Sequence, residues 1–530
     1  MPATLRGRRA RAPPATRRQP TATKGGATNT QDTFANWACA WAQATNSSLA
    51  GTSVHVGEKD LHADGGALAL RMAEWGLVPT ADPAAPLRYP ELPAREEPSA
   101  AEAWSRAREG MPVSAALARE LAADGLLRGV RIAMSLIVEP KTAVLVERLA
   151  QAGATVGVYC HAHECHQYIA DELASRGYAI EANSAWTPAQ EREGALRLMD
   201  RIRPNVVIDD GANFARLLVM ERPALLPQLI GVAEETTSGV RAFQAMQAAR
   251  ELPFPVVAVN DSQLKTRFDN RHGTGETCVA TTLELLGAGC LAGARVAVMG
   301  YGPVGEGFAR RARVLGARVT VVELDPVRAL EARFAGFDVA RAAEALPAAD
   351  MVVSATGVRH TLPLDLLRTL PNGCRVVVIG GIANEVALDQ VVAAGGAILP
   401  GEKDGISQLR VPQGPTLALL AAGDGVNYAA GPGNPIEIMD LSFAVQILAV
   451  EHLLRNRGAL PNRVLRLGPD ADRRIATLAL AVRGVTLDAA PEADTADGST
   501  FVPDWRVTRF SDAVTTPAAA PASPNPKELP

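Results

Sequence analysis

The sequence predicts an α/β protein with two doubly wound parallel-sheet domains, the second of them inserted in the first. Short apolar runs alternate with stretches in which apolar residues recur at helical spacing, an alternation that is typical of parallel βαβ units. The chain has 530 residues, of which 47% are hydrophobic, so it can bury more than one core. The apolar runs fall into two series, which begin near residues 98 and 290.

In the first series, residues 128–138 form an apolar run that predicts a buried strand, and residues 141–153 predict a helix that ends at Gly153. Further strands are predicted within 155–160, 205–211 and 255–261. The last two of these runs end in acids or amides, namely Asp209, Asp210, Asn260 and Asp261. Because ligands of such sheets bind beyond the carboxyl ends of the strands, these residues predict a site at that edge.

The second series predicts four more strands, at 295–300, 318–323, 351–357 and 375–381. Together the two series predict a first domain at 98–275, an inserted domain at 276–427 and a return to the first domain at 428–485. Residues 31–97 contain several Gly and Pro breaks and predict an extension with a little helix. A basic tail at 1–30 and a Pro- and Ala-rich tail at 486–530 are expected to be disordered, the second in part.

Composition excludes several classes of protein. The net charge is −4 at pH 7, which gives no general attraction to nucleic acid or to anionic membranes. No apolar run approaches the ~20 residues that a transmembrane helix needs. The arginines of residues 1–24 resemble those of a transit peptide, but a disordered basic tail is favoured. The six cysteines lack the spacing of a disulfide framework, so we expect a cytoplasmic protein. From the net charge and the short apolar runs, we expect neither nucleic acid nor membrane as a partner.

A glycine-rich turn, GYGPVG, places Gly300, Gly302 and Gly305 between a predicted strand and a predicted helix, with Val304 inside the same turn. In a dinucleotide-binding unit such glycines permit the tight turn, the approach of the pyrophosphate and close helix–strand packing. The next strand ends in Glu323, an acid that can accept hydrogen bonds from ribose hydroxyls and repels a 2′-phosphate. The expected cofactor is therefore NAD rather than NADP. The alternative is a glycine-rich turn that holds no ligand.

A second group of polar residues lies upstream, within 231–239 and 259–273. Lys265 and Asp269 are four residues apart, so on a helix they share a face. They form either a surface ion pair worth about 0.3–0.5 kcal/mol or a proton-transfer pair beside a nicotinamide. The second role needs a base that titrates near neutral pH, which a lysine can reach through burial.

Six stretches carry a resemblance to a known family: IDDG (208–211), EETTSGV (234–240), NDSQLKTRFDN (260–270), GYGPVGEG (300–307), VELDPVRALEARFAGFDV (322–339) and VNYAAGPGNP (426–435). In this order they resemble the S-adenosylhomocysteine hydrolases (adenosylhomocysteinases). The resemblance implies a recycled NAD that oxidises a nucleoside 3′-hydroxyl, loss of the acidified C4′ proton, and β-elimination of the group on C5′. Water then normally adds and the ketone is reduced. The resemblance also implies a tetramer, hence a homo-oligomer, acting on a small nucleoside.

The resemblance assigns roles to individual residues. Lys265 and Asp269 match the pair that handles the 3′-hydroxyl proton, and Asp210 and Glu235 match acids that face the sugar. The residues that match cofactor contacts are Thr236, Thr237, Ser238, Asn270 and Asn427, in addition to Gly300, Gly302, Val304, Gly305 and Glu323.

Several positions depart from the family's pattern. Ile137, Gly381 and Asn434 stand where the family has histidines. The first two histidines normally move protons around the C5′ leaving group, and the third helps to hold the purine. In the tail that reaches a neighbouring subunit's cofactor, Val502 and Arg506 replace a lysine and a tyrosine. The residues that the resemblance assigns to oxidation are thus kept, whereas those that it assigns to the leaving group are replaced.

The candidate substrate contacts are altered as well. In the segment that contacts the base, Glu139 and Lys141 stand for the family's threonine and glutamate. The CHAHECH segment (160–166) contains His161 and His163 among its histidines and cysteines. It forms either a zinc site or, as we favour because its spacings are too tight for zinc-finger patterns, a substrate-facing loop without metal.

These departures argue against ordinary thioether hydrolysis, since a general acid contributes typically about 10²–10⁴-fold to the rate. The favoured hypothesis is an enzyme that oxidises a nucleoside, eliminates a β group such as water and reduces the ketone, which leaves an unsaturated sugar. Such an enzyme resembles the angustmycin-type dehydratases of nucleoside-antibiotic pathways. The alternatives are an authentic S-adenosylhomocysteine hydrolase and a non-catalytic, NAD-binding regulator of a true hydrolase, which would need no proton-transfer groups.

Overall fold

Two large sheets of mostly parallel strands confirm the predicted α/β class. The computed structural model describes residues 30–94 and 97–488, so nearly all of the two predicted tails, including Val502 and Arg506, lies outside the described residues. The described residues up to Ala479 belong to one compact unit, and a second unit begins at Leu480. Within the described ranges, no helix combines the length and the apolar character of a membrane span.

The residues before the first large sheet are more regular than the predicted extension with a little helix. Their elements are α1 (Thr30–Thr45), β1 (Ser53–His55), α2 (Glu58–His62), α3 (Ala67–Trp75), β2 (Val78–Thr80) and β3 (Leu87–Arg88). The strands pair in parallel in the order β2-β1-β3, and Phe34, Trp37 and Trp75 are buried in the core of the inserted domain. Strands of two or three residues are too short to show an alternating pattern, so the sequence does not reveal them.

The first α/β domain is built on a seven-stranded sheet in the order β18-β9-β8-β7-β4-β5-β6. Its elements are α4 (Ala100–Glu109), α5 (Pro112–Asp124), β4 (Arg131–Ser135), α6 (Pro140–Gln151), β5 (Thr155–Tyr159), α7 (Gln167–Ser175), β6 (Ala179–Glu181), α8 (Pro188–Ile202), β7 (Val206–Asp209), α9 (Asn213–Glu221), β8 (Gly231–Glu234), α10 (Thr237–Ala248) and β9 (Val256–Ala258). A π-helix (Lys265–Thr274) and α11 (Gly275–Leu286) follow. The central strands are buried throughout, as continuous apolar runs require.

The inserted domain contains an eight-stranded sheet in the order β12-β11-β10-β13-β14-β17-β16-β15. Its elements are β10 (Arg295–Met299), α12 (Pro303–Val314), β11 (Arg318–Val322), α13 (Pro326–Phe334), β12 (Asp338–Val339), α14 (Ala342–Ala345), β13 (Met351–Ser354), α15 (Leu364–Leu367), β14 (Arg375–Val378), α16 (Leu388–Ala393), β15 (Ala397–Pro400), β16 (Ile406–Arg410), β17 (Thr416–Leu420) and α17 (Val426–Ala429). The first six strands of the sheet are parallel and follow the 3-2-1-4-5-6 order of the Rossmann fold. The predicted Rossmann domain is therefore confirmed.

The chain then returns to the first domain, which makes the Rossmann domain an insertion. The returning elements are α18 (Ile436–Arg455), β18 (Val464–Leu465) and α19 (Pro469–Ala481). Helix α18 is buried in the core of the first domain, and β18 pairs with β9. The strand order of the parallel strands reverses between β4 and β7 in the first large sheet and between β10 and β13 in the second. Such reversals open a crevice at the carboxyl ends of the strands, where ligands bind.

Candidate active site

A cavity of about 1350 Å³ lies beyond the carboxyl ends of both sheets. It exceeds the roughly 300–1,000 Å³ of a typical small-molecule site, so it has room for a dinucleotide and a second small molecule. Most of the predicted site residues line it, namely Glu139, Asp210, Glu235, Thr236, Thr237, Ser238, Lys265, Asp269, Asn270, Gly300, Gly302, Val304, Glu323, Asn427 and Asn434. Four of them do not, namely Lys141, His161, His163 and Gly305.

Lys265 is the centre of a buried ionic group that we call the lysine cluster, formed with Glu235, Asp269 and Asn270. Its Nζ lies 2.8 Å from Asp269 Oδ2 and 3.4 Å from Glu235 Oε1, and it donates to Asn270 Oδ1 at 3.2 Å. The side chains of Lys265 and Asp269 are 7% and 2% exposed, which rules out the surface ion pair. The segment is a π-helix, and its wider turn brings the fifth residue on, Asn270, to the ammonium group as well.

The charges of the lysine cluster differ from the expectation. Burial lowers the pKa of Lys265, but the carboxylates of Asp269, Glu235 and Asp210 outweigh it, and the pKa is raised. The prediction that burial brings the pKa of Lys265 close to neutral pH is therefore wrong. Burial raises the pKa of Glu235 to about 7, against the opposing effect of Lys265. Glu235 is thus the group of the cluster that exchanges a proton near neutral pH.

Three polar side chains hold the carboxylates of the cluster in place. Asn434 Nδ2 donates to Asp269 Oδ1 at 2.7 Å, and Ser442 Oγ donates to Asp269 Oδ2 at 2.6 Å. Gln446 Nε2 donates to Glu235 Oε2. Sequence reasoning missed Ser442 and Gln446. Their signal is a pair of polar residues, four apart, within the otherwise apolar and buried middle of α18.

The amide of Asn434 is occupied by protein groups on both of its atoms. Its Nδ2 also donates to Thr274 Oγ1 at 3.1 Å, and its Oδ1 accepts from Asn427 Nδ2 at 2.9 Å and from Thr277 Oγ1 at 3.2 Å. Asn434 lines the cavity as predicted, but its hydrogen bonds give it the role of positioning Asp269 and Asn427.

Two neighbouring strands each end in two consecutive acids. In both pairs the first acid is a buried hydrogen-bond acceptor and the second lines the cavity. Asp209 and Glu234 are register partners in β7 and β8, are fully buried, and accept hydrogen bonds from backbone N–H groups at the start of α9 and in the loop before it. The next residues, Asp210 and Glu235, line the cavity, as the alternation of side chains along a strand requires. Burial raises the pKa of Asp210, and Lys265 opposes that rise.

The glycine-rich turn forms a cradle at the start of α12. Gly300 has φ +95°, in the left-handed region that favours glycine. A Cβ at Gly305 would lie 2.1 Å from the carbonyl oxygen of Gly300, so only glycine fits there. At Gly302 a Cβ would meet Arg328 Nη1 at 3.4 Å and no other described atom within 4 Å. This open side of the cradle faces the cavity, where the N-terminus of α12 favours a phosphate group.

Beside the cradle, Glu323 is fixed as an acceptor at the end of β11. Its Oε2 accepts a hydrogen bond from the backbone N–H of Tyr301 at 2.7 Å. Across the cavity, Thr237 Oγ1 donates to Asn260 Oδ1 at 3.0 Å, and Asn270 Nδ2 donates to the same atom at 3.3 Å. The residues present fit a dinucleotide whose adenosine ribose carries free hydroxyls.

The predicted base contacts form a buried ion pair in which only one partner reaches the cavity. Lys141 is fully buried, and its Nζ lies 2.7 Å from Glu139 Oε2. Lys141 also donates to Asn46 Oδ1 at 2.7 Å and to the carbonyl of Pro432 at 2.9 Å. Glu139 lines the cavity, whereas Lys141 neutralises it from behind. The N-terminal residues before β1 therefore help to build this end of the site, through Asn46.

The end of the cavity where the resemblance expects the C5′ group has no imidazole at the two altered positions, because Ile137 and Gly381 line it. His161 Nδ1 lies 3.1 Å from Glu191 Oε2, and the side chain of His163 is 48% exposed. Neither histidine lines the cavity, so the structure does not support the predicted substrate-facing histidines. In the part of the chain that the structure describes, no three His, Cys, Asp or Glu side chains are grouped to hold a metal ion.

Comparisons with known proteins agree with this geometry. A family model described as S-adenosyl-L-homocysteine hydrolase matches residues 101–227, and one described as its NAD binding domain matches residues 279–433. An adenosylhomocysteinase of Thermotoga maritima is 37% identical over 389 residues, which cover 72% of this chain and 94% of that protein. An S-inosyl-L-homocysteine hydrolase of Methanopyrus kandleri is 36% identical over 383 residues, which cover 72% and 90%. The chain is a divergent, NAD-dependent member of the S-adenosylhomocysteine hydrolase family.

Proposed function

We propose that the protein is a nucleoside dehydratase that oxidises a 3′-hydroxyl, removes the C4′ proton, expels the hydroxyl on C5′ as water and reduces the ketone again. In this proposal the first domain (98–275 and 428–485) holds the nucleoside and the inserted domain (276–427) holds NAD. The protein would act on a small nucleoside as a homo-oligomer. The observation that carries the proposal is a complete lysine cluster in the same cavity as two altered leaving-group positions, Ile137 and Gly381.

The cradle of Gly300, Gly302 and Gly305 together with Glu323 would hold NAD, which would supply the hydride acceptor and donor for the carbinol carbon. The lysine cluster handles the accompanying proton. Lys265 would act as a concerted relay, accepting the proton of the 3′-hydroxyl as it passes one of its own to Glu235, 3.4 Å away, so that its ammonium group stays charged. Asp269, held by Asn434 and Ser442, keeps the ammonium group in place.

The ketone acidifies the C4′ proton, and a carboxylate is a suitable base for it. Asp210 lines the cavity at the end of β7, whereas both carboxylate oxygens of Asp209 accept backbone N–H groups of α9. The elimination then forms a C4′=C5′ double bond and breaks the C5′–O bond. Because the hydride is returned to C3′ and the proton to the 3′-oxygen, the sequence of steps is redox-neutral and its balance is the loss of one water.

A second candidate function is hydrolysis of an S-nucleosyl-homocysteine thioether. It is favoured by the similar proteins, which are named adenosylhomocysteinase and S-inosyl-L-homocysteine hydrolase. Against it stands the replacement of both leaving-group histidines, since each lost proton donor is worth typically about 10²–10⁴-fold.

One experiment separates these functions. The NAD-loaded protein is incubated with adenosine, inosine, S-adenosylhomocysteine and S-inosylhomocysteine in deuterated buffer. Cofactor reduction is followed by absorbance and the products by mass spectrometry. The proposal expects cofactor reduction, C4′ deuterium exchange and a 4′,5′-unsaturated nucleoside from adenosine or inosine. Release of homocysteine as the main reaction would favour the hydrolase, and absence of both cofactor reduction and exchange with all four compounds would overturn the enzyme proposals.

A further inference from the structure

The CHAHECH segment places a carboxylic acid, rather than a histidine, beside the altered leaving-group position. The turn Ala162–Glu164 follows β5 and runs next to the chain that follows β4. The backbone N–H of Val138 donates to the carbonyl of Glu164 at 3.2 Å, and the N–H of His166 donates to the carbonyl of Val138 at 2.9 Å. These two bonds fix Glu164 against the neighbour of Ile137, and both Ile137 and Glu164 line the cavity.

The carboxyl group of Glu164 is available for chemistry. Its side chain is 21% exposed, and His163 Nε2 lies 3.9 Å from its Oε1. It makes no hydrogen bond to any other residue that the structure describes. Burial raises the pKa of Glu164 to about 8, with further contributions from Asp210, Asp424 and Glu191. At neutral pH the group therefore carries a proton that it can give away.

None of the described histidines near this end combines a place in the cavity wall with a free ring nitrogen. His161 is held by Glu191 and by the Tyr159 hydroxyl, and burial lowers the pKa of His166 to about 4. His360 lines the cavity, but Asp389 and Gln390 occupy its two ring nitrogens. Glu164 thus combines a place in the cavity wall beside Ile137 with an uncommitted proton.

We propose that Glu164 is the general acid that protonates the group leaving C5′, in place of the family's histidines. This inference rests on the proposed function. The electrons of the C4′–H bond form the C4′=C5′ double bond, the C5′–O bond breaks, and the departing oxygen takes the proton of Glu164 and leaves as water. The C4′ proton accepted by Asp210 restores the proton of Glu164, so the pair returns to its starting charge.

The test compares leaving groups that differ in their need for a proton. Glu164→Gln keeps the size and polarity of the side chain but cannot act as an acid. Wild type and variant, both NAD-loaded, are given adenosine and 5′-chloro-5′-deoxyadenosine, or inosine and its 5′-chloro analogue if inosine reduces the cofactor. Chloride leaves with the bonding electrons and needs no proton. Glu172→Gln, on the outer surface of α7, is the matched control.

With the hydroxyl substrate, Glu164→Gln should form product about 10²–10⁴-fold more slowly, whereas cofactor reduction and C4′ exchange stay within about threefold of wild type. With the chloro substrate, elimination should be within about threefold of wild type. An equal loss on both substrates would mean a structural role and would overturn the inference, as would unchanged dehydration. If wild-type protein reduces no cofactor with any of these nucleosides, the proposed function itself fails; slow product from Glu164→Gln with normal cofactor reduction cannot be mistaken for that result.

Discussion

The two ends of the cavity hold their ionisable groups in opposite ways. Around Lys265, the ammonium group and the carboxylates of Asp269 and Glu235 are fixed by hydrogen bonds from the π-helix and from α18. At the other end, Glu164 presents a carboxyl group that makes no hydrogen bond to the residues the structure describes. If the proposed function is right, the fold fixes the geometry of alcohol oxidation while it leaves the proposed proton donor, Glu164, free to exchange its proton.

The local structure explains the contrast. The lysine cluster is built largely on the π-helix, which packs against α18, and α18 is buried in the core of the first domain. The side chains of the cluster therefore have few alternative conformations. Glu164 ends a three-residue turn between β5 and α7, and an isolated bridge between Val138 and Cys165 joins this turn to the chain after β4. A site of this kind can change its leaving-group chemistry without disturbing the oxidation machinery.

The largest expected effect comes from removing the cation of the fixed end. Lys265→Met leaves Asp269 and Glu235 buried without their partner and removes the group that accepts the hydroxyl proton. The rate of cofactor reduction by adenosine or inosine should fall by about 10²–10⁴-fold, while the NAD content of the purified protein stays that of wild type. Lys403→Met, at an exposed surface position, is the control. Unchanged cofactor reduction in Lys265→Met would mean that the contrast between the two ends has no catalytic meaning.

A smaller loss of activity is expected from replacing Asn434, which donates a hydrogen bond to Asp269 but is not itself a member of the lysine cluster. Asn434→Ala removes one hydrogen bond to a charged carboxylate, which is worth about 1.5–3 kcal/mol, so kcat should fall roughly 10–100-fold. KM for the nucleoside should stay within about threefold, because the amide is occupied by Asp269, Thr274 and Asn427. Steady-state kinetics with Asn456→Ala as the control provide the measurement. A rise in KM at constant kcat would instead place Asn434 among the substrate contacts.

The features that could be predicted from sequence are those set by a local pattern of residues. The strands at 131–135, 206–209 and 295–299 coincide with continuous apolar runs, and buried parallel strands are the structure that such runs specify. The glycines of the cradle follow from steric demands of a single turn. The lysine cluster came from the family resemblance together with its spacing, although the π-helix behind it did not, because a spacing of four residues does not distinguish α from π geometry.

The remaining parts depend on tertiary contacts that no local pattern reveals. The position of Asn46 against Lys141 joins residues that are 95 positions apart. The charge of Lys265 depends on three carboxylates brought together from β7, β8 and the π-helix, so burial alone gave the wrong direction for its pKa. For the CHAHECH segment the sequence predicted substrate-facing histidines, but the turn places Glu164 in the cavity wall and leaves His163 half exposed.

The smallest and most discriminating effect is expected from pH, because the two ends need opposite protonation states, an ionised Glu235 and a protonated Glu164. Burial raises the pKa of Glu235 to about 7 among Lys265, Asp269 and Asp210. Since Glu235 must be ionised to accept a proton from Lys265, cofactor reduction should fall up to tenfold per unit as pH decreases below about 7. Burial raises the pKa of Glu164 to about 8, with Asp210, Asp424 and Glu191 around it, and this group must be protonated to act. Dehydration should therefore fall up to tenfold per unit as pH rises above about 8.

The two limbs can be assigned by following separate steps. Single-turnover cofactor reduction reports the limb below pH 7, and product formation from the hydroxyl substrate reports both limbs. Glu235→Gln should remove the lower limb at a reduced rate, and Glu164→Gln should remove the upper limb alone. The 5′-chloro nucleoside should show the lower limb but not the upper one, because its leaving group takes no proton. If one variant removed both limbs, or if the upper limb persisted with chloride, the two ends would titrate as a single coupled group and the contrast between a fixed and a free end would be lost.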